Sequence, residues 1–218
     1  MTDFDCSGVK VTDGHLRCNS PRNQTIGMAL PVPQFTIDML DSFPEDGNRY
    51  ELLEGMLLVT PSPSHAHQVV ATRLIYVLMD ALEASRKAQV VAVGAIQRGD
   101  NTQLEPDILV HPATFRPGEH WRDISGWWLA VEVMSPSSRI YDTVVKRDAY
   151  LALGVEEYWV MDMRDRSVEV WKRGSLGSER VTGTLTWRPA ALDASVIVDL
   201  DDVFRDVGDG GEDDAPGG

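Results

Sequence analysis

The sequence predicts one α/β domain, a mixed sheet flanked by helices, and three features carry the prediction. Residues 127–134, Trp-Trp-Leu-Ala-Val-Glu-Val-Met, form an apolar run of strand length closed by Ser135-Pro136. Such a run reads as a strand buried on both faces. A longer stretch, from about His65 to Lys87, repeats apolar residues at 3-to-4 spacing, the mark of an amphipathic helix. The segments then follow one another as hairpin, helix, three strands, helix and strands, without an internal repeat.

Each element has a local reason. Thr36 to Leu40 reads as a short helix with Thr36 or Asp38 near its start. Tyr50 to Val59 reads as an N-terminal β-hairpin turning near Glu54-Gly55. Pro61-Ser62-Pro63-Ser64 breaks that strand and caps the long helix, whose apolar face is Val69, Leu74, Val77, Leu78 and Leu82. Val90 to Gln97 and Ile108 to His111 are strands, followed by 127–134. Asp142 is an N-cap for a helix through Leu153, which Gly154 closes. Strands follow at 157–162 and 168–171, with weaker ones at 179–187 and 195–199.

The chain has 218 residues, 43% hydrophobic, which suits one domain with loose ends. The domain is placed at 31–205, between a disordered extension, 1–30, and a disordered acidic tail, 206–218. Met28 begins a more ordinary protein start than Met1. No signal peptide is visible, and no apolar run reaches the roughly 18 residues a membrane span needs. The default compartment is the cytoplasm, with no membrane partner. Cys6 and Cys18 both lie in the polar extension and read as incidental thiols. The net charge is −14, and taking away the five carboxylates after Arg205 leaves −9. Such a chain lacks the basic surface of a strong non-specific nucleic-acid binder, but a metal-dependent enzyme touching a few phosphates remains compatible with it.

Chemistry is expected around Glu132. An unpaired charge inside an apolar strand costs on the order of several kcal/mol, so a partner or a metal must come from elsewhere. Three groups are candidates. Asp107 opens the strand after Pro106, where two carboxylates on neighbouring strands would suit a hard cation such as Mg²⁺. By itself a Pro-Asp pair marks a turn more often than a site. Lys146 shares one helix face with Asp142 and Tyr150, and alone it reads as a surface ion pair. His67 lies on the first turn of the long helix, near Ser64. His65 and His67 do not share a helix face, which argues against a zinc site.

Taken together, Pro106-Asp107, Glu132 in an apolar strand and a following helix with Lys146 resemble the PD-(D/E)xK restriction-endonuclease-like superfamily. Within it the chain is similar to the Uma-two family. The matching stretches are Tyr50-Glu51-Leu52-Leu53-Glu54-Gly55, Pro61-Ser62-Pro63-Ser64 with His67, Pro106-Asp107-Ile108, and Glu132-Val133-Met134-Ser135-Pro136-Ser137. They continue through Asp142, Lys146 and Tyr150 to residues 154–162, and the likeness spans about 35–172. The resemblance implies an αβββαβ core and Mg²⁺- or Mn²⁺-dependent hydrolysis of phosphodiesters, with nucleic acid, DNA above all, as partner. It implies Asp107 and Glu132 as metal ligands, with the Val133 carbonyl a further one. It puts Lys146 in the lysine role, and Glu51 and His67 as a supporting acid or substrate contacts, with Glu54 competing for the place of Glu51. One departure stands out: the lysine of the pattern normally follows the Glu by two residues, and Met134 occupies that position.

Two other readings compete. One is a non-catalytic or partner-dependent binding and assembly module on the same scaffold, where Trp121, Trp127, Trp128 and the apolar strands near 158–171 support a homodimer. The other is a hydrolase of small phosphate esters, with the same carboxylates in a closed pocket.

Overall fold

The computed structural model describes residues 10–12, 15–17, 34–115, 118–134 and 141–207. The chain divides into two units, Met1–Val32 and Pro33–Gly218. In the first, β1 (Lys10–Thr12) pairs antiparallel with β2 (His15–Arg17). Both cysteines, Ser135-Pro136-Ser137 and most of the acidic tail lie outside the described residues.

In the second unit, a short helix α1 (Ile37–Leu40) leads into the hairpin of β3 (Arg49–Leu53) and β4 (Met56–Thr60). It turns at Glu54 and Gly55, both at positive φ. Ser64 then caps α2 (His65–Glu83), its hydroxyl accepting from the His67 N–H. The core face of α2 is Val70, Ala71, Leu74, Leu78 and Leu82. The helix ends a turn before the expected Lys87, because Arg86 takes a left-handed conformation and Ala88 already opens the next strand.

Next come β5 (Ala88–Ala92), β6 (Ile96–Arg98), β7 (Thr102–Leu104), β8 (Ile108–Pro112) and β9 (Leu129–Met134). The single strand expected over 90–97 is two strands in different sheets. Val93 at φ +51 breaks it, and Gly94 packs so tightly that a Cβ there would lie 3.1 Å from Leu109. Trp127 and Trp128 precede β9 rather than opening it, and both are buried. Trp121 packs against the core as well. This removes the exposed aromatics that favoured a homodimer.

A π-helical segment (Tyr141–Lys146) continues into α3 (Arg147–Leu153), so Asp142 lies within the helical segment and not before it. Gly154 ends α3 at φ +105, as the sequence predicts. Then follow β10 (Glu157–Asp162), β11 (Ser167–Lys172), β12 (Ser178–Thr182), β13 (Thr184–Trp187), β14 (Val196–Asp199) and the short α4 (Leu200–Val203). Gly183, at φ +73, splits the strand expected over 179–187 into two sheets.

The main sheet has the order β12-β11-β10-β9-β8-β5, and β3 and β4 join β7 and β6 in a second sheet. Within the main sheet β9 and β10 are parallel, and the chain between them carries α3 across. The succession α2-β5-β8-β9-α3-β10 is thus the expected αβββαβ order, with β6 and β7 inserted. All six residues of β9 are buried, and their alternation sorts them between two cores. Leu129, Val131 and Val133 pack in the core that holds the α2 residues. Ala130 and Met134 join Tyr150, Leu153 and Tyr158 in the other. Glu132 lies between Ala130 and Met134 in this alternation and faces α3.

Candidate active site

β9 brings Glu132 to the α3 side of the sheet, where it is 3% exposed. Its Oε1 accepts from Lys146 Nζ at 3.0 Å and from Tyr150 OH at 2.8 Å. The two donors are one helical turn apart, which puts both on the face that looks at β9. Lys146 Nζ also stands 2.7 Å from Glu51 Oε2. That contact is a charge pair without the alignment of a hydrogen bond, since Glu51 Oε2 has no hydrogen-bond partner. The other Glu51 oxygen accepts from the Glu105 N–H at 2.7 Å. Glu51 is fully buried on β3, whereas Glu54 is an exposed turn residue.

Asp107 immediately precedes β8. The register pairs Ile108 with Val131, and one step further sets Asp107 opposite Glu132. There the backbone ladder stops and the Asp107 carboxylate takes over, its Oδ2 accepting from the Val133 N–H at 2.8 Å. His67 Nε2 lies 2.9 Å from the same oxygen. Oδ1 accepts from Arg49 Nη1 at 3.0 Å. The His67 Nδ1 atom is buried and has no partner. Of the residues the sequence singles out, Lys146 therefore meets Glu132 and Glu51, and His67 and the Val133 backbone meet Asp107.

Buried charges set the electrostatics. Burial pushes the Asp107 carboxyl up, but the His67 hydrogen bond and charge, Arg49 and the Val133 N–H outweigh it and hold the group below the usual carboxylate range. Burial works against the charge on Arg49, but Asp107, Glu132 and Glu51 keep it firmly protonated. Burial, followed by the charges of Glu132 and Glu51, raises the Tyr150 phenol well above its ordinary value, so it stays a donor. Three buried carboxylates thus face the basic side chains of Arg49 and Lys146, with His67 beside Asp107.

Two contributors lie beyond the sequence-derived roles. Arg49 was legible only as a residue two before Glu51 on one strand, hence on the same side. Tyr150 shares the Lys146 face, but nothing in its spacing tells that its hydroxyl reaches Glu132. Among the described residues, no group of three or more His, Cys, Asp or Glu side chains is arranged to hold a metal ion. No helix among them is long and apolar enough to cross a membrane.

The family model for Uma2, described as "Putative restriction endonuclease", matches residues 37–199. No curated protein matches the chain. A crystal structure described as a "putative nuclease belonging to DUF820", from Anabaena variabilis, aligns with a TM-score of 0.63 and 19% identity. The alignment covers 78% of this chain and 97% of that one, a likeness of fold. With a family match over more than half its length and a nuclease-like fold, the chain belongs to the Uma2 family.

Proposed function

We propose that this protein is a Mg²⁺- or Mn²⁺-dependent endonuclease that hydrolyses phosphodiester bonds in DNA. The observation that carries this reading is Lys146: a helix delivers its ammonium to 3.0 Å from Glu132, although Met134 holds the usual lysine position. The donor set fits a hard divalent cation, which needs one or two protein carboxylates and completes its shell with water and phosphate. Asp107 and Glu132 would supply the carboxylates. The Val133 carbonyl would be the third ligand, because a residue's N–H and C=O leave a strand on the same side and its N–H meets Asp107. A bound Mg²⁺ supplies Lewis-acid polarisation of the phosphate and a more acidic water.

The chain's own groups do the rest. Lys146 holds positive charge beside Glu132, where negative charge grows during attack at phosphorus. Glu51 fixes the ammonium from the far side, and Tyr150 fixes the Glu132 carboxylate. His67 and Arg49 orient Asp107 from its two oxygens.

One observation favours a second reading, a non-catalytic assembly module: each of the three carboxylates has a basic side chain of the protein within 3.0 Å. Calorimetry with Mn²⁺ and Mg²⁺ on the wild type and Asp107→Ala, together with cleavage of plasmid and linear DNA, separates the two. Binding and cleavage that both vanish in the variant are expected. Wild-type protein that neither binds Mn²⁺ nor cuts DNA in its presence overturns the nuclease reading.

A further inference from the structure

We propose that Arg49 is a phosphate-binding residue of this site. One of its nitrogens anchors Asp107, and its Nε–Nη2 edge is offered to two oxygens of a DNA backbone phosphate. The inference rests on the nuclease reading and adds a substrate contact to it.

Arg49 opens β3, two residues before Glu51, so both side chains leave the strand on the same side. Its Nη1 is fully used, donating to Asp107 Oδ1 at 3.0 Å and to the Glu105 carbonyl at 2.9 Å. Those two bonds fix the plane of the guanidinium. Among the described residues, nothing pairs with Nε or Nη2, which carry three further N–H groups. The free pair forms the side-on edge, whose two parallel donors match two oxygens of a carboxylate or phosphate.

Position singles out this cation. The Arg49 side chain is 17% exposed, whereas that of Lys146 is 3% exposed and held between Glu51 and Glu132. Of the two basic side chains that face the carboxylates, Arg49 is the one with access to a ligand from outside. A plane already fixed by Asp107 and the Glu105 carbonyl also loses little side-chain freedom when a phosphate binds. On a chain of net charge −14, DNA must gain its affinity from such local contacts instead of from a general basic surface.

The test uses full-length wild type, Arg49→Gln and Arg49→Lys with a fluorescein-labelled 20-base-pair duplex. Anisotropy in Ca²⁺ gives Kd over a range of NaCl concentrations, and Mn²⁺ calorimetry without DNA reports on the carboxylates separately. The expected result for Arg49→Gln is at least about tenfold weaker DNA binding, with the slope of log K against log salt reduced by about 0.9, one phosphate contact. Arg49→Lys keeps a charge but loses the fork, so its slope stays near wild type while Kd rises about fivefold. A residue that only positions Asp107 would instead weaken Mn²⁺ binding and leave the salt slope unchanged, and that pattern overturns the proposal. Wild-type affinity in Arg49→Lys overturns it too, even where Arg49→Gln fails to fold. Wild-type protein that binds no duplex overturns this inference together with the nuclease reading, whereas binding that survives unchanged in both variants overturns the inference alone.

Discussion

Replacing Lys146 with methionine tests the charge cluster most directly. The side chain is nearly isosteric with the lysine stem, so packing changes little and the charge is what is lost. Lys146 Nζ sits 2.7 Å from Glu51 and 3.0 Å from Glu132, and its side chain is 3% exposed. At an effective dielectric of about 20, each contact is worth roughly 6 kcal/mol of attraction, but removing the ammonium from water offsets much of that. The variant leaves two buried carboxylates with less compensation than before. Glu132 keeps the Tyr150 hydroxyl, and Glu51 keeps the Glu105 N–H. Breaking a buried pair in this way costs about 3–5 kcal/mol, a large share of the roughly 5–15 kcal/mol that stabilises a domain.

The loss should depend on pH. Without the ammonium, at least one carboxyl has a raised folded value, so the folded variant holds a proton that the unfolded chain has released. Its stability therefore falls as pH rises, by about 1.4 kcal/mol per unit, until the raised value is passed. Urea unfolding at pH 5.5 and pH 8 measures this, with Glu51→Gln added to Lys146→Met as the rescue. The double variant should recover part of the loss at pH 8 and less at pH 5.5. A penalty below about 1 kcal/mol at pH 8, or one that does not change with pH, refutes a buried ammonium shared by Glu51 and Glu132.

Two further outcomes follow from single residues. Asp107 is held below the usual carboxylate range, so its contribution is fully present above the unfolded value near 3.9 and is lost as pH falls through the folded one. Asp107→Asn should therefore flatten the acid limb of stability below about pH 4.5 by up to one proton's slope. Glu105, raised by burial and then by Glu51, works in the opposite sense, so urea melts of variant and wild type must be compared across pH 3–6. Gly154→Ala should lower stability by about 1–2 kcal/mol through backbone strain at φ +105, since the nearest atom to a Cβ there, on Arg173, is 3.9 Å away and leaves room. Thermal unfolding reads that effect, and an unchanged Tm would contradict it.

Local chemistry determined a good part of this protein. The hairpin at Glu54-Gly55, the Ser64 cap, the Gly154 stop and the buried strand through Glu132 are settled by short-range rules: φ limits, capping and apolar runs. The demand that Glu132 find a partner also follows from the sequence alone, because a charge in an apolar strand cannot stand uncompensated. The sequence could nominate Lys146 for that role but not place it. Only the tertiary structure decided that the π-helical segment and α3 pack on the Glu132 side of β9, so that Lys146 and Tyr150 converge on one oxygen. The same holds for the break at Val93, the burial of Trp127 and Trp128, and the arrival of Arg49 at Asp107 across 58 residues of chain. Those outcomes depend on which sheet a strand joins and which face a helix covers. Such choices are made by contacts between residues distant in the chain, and no local pattern carries them.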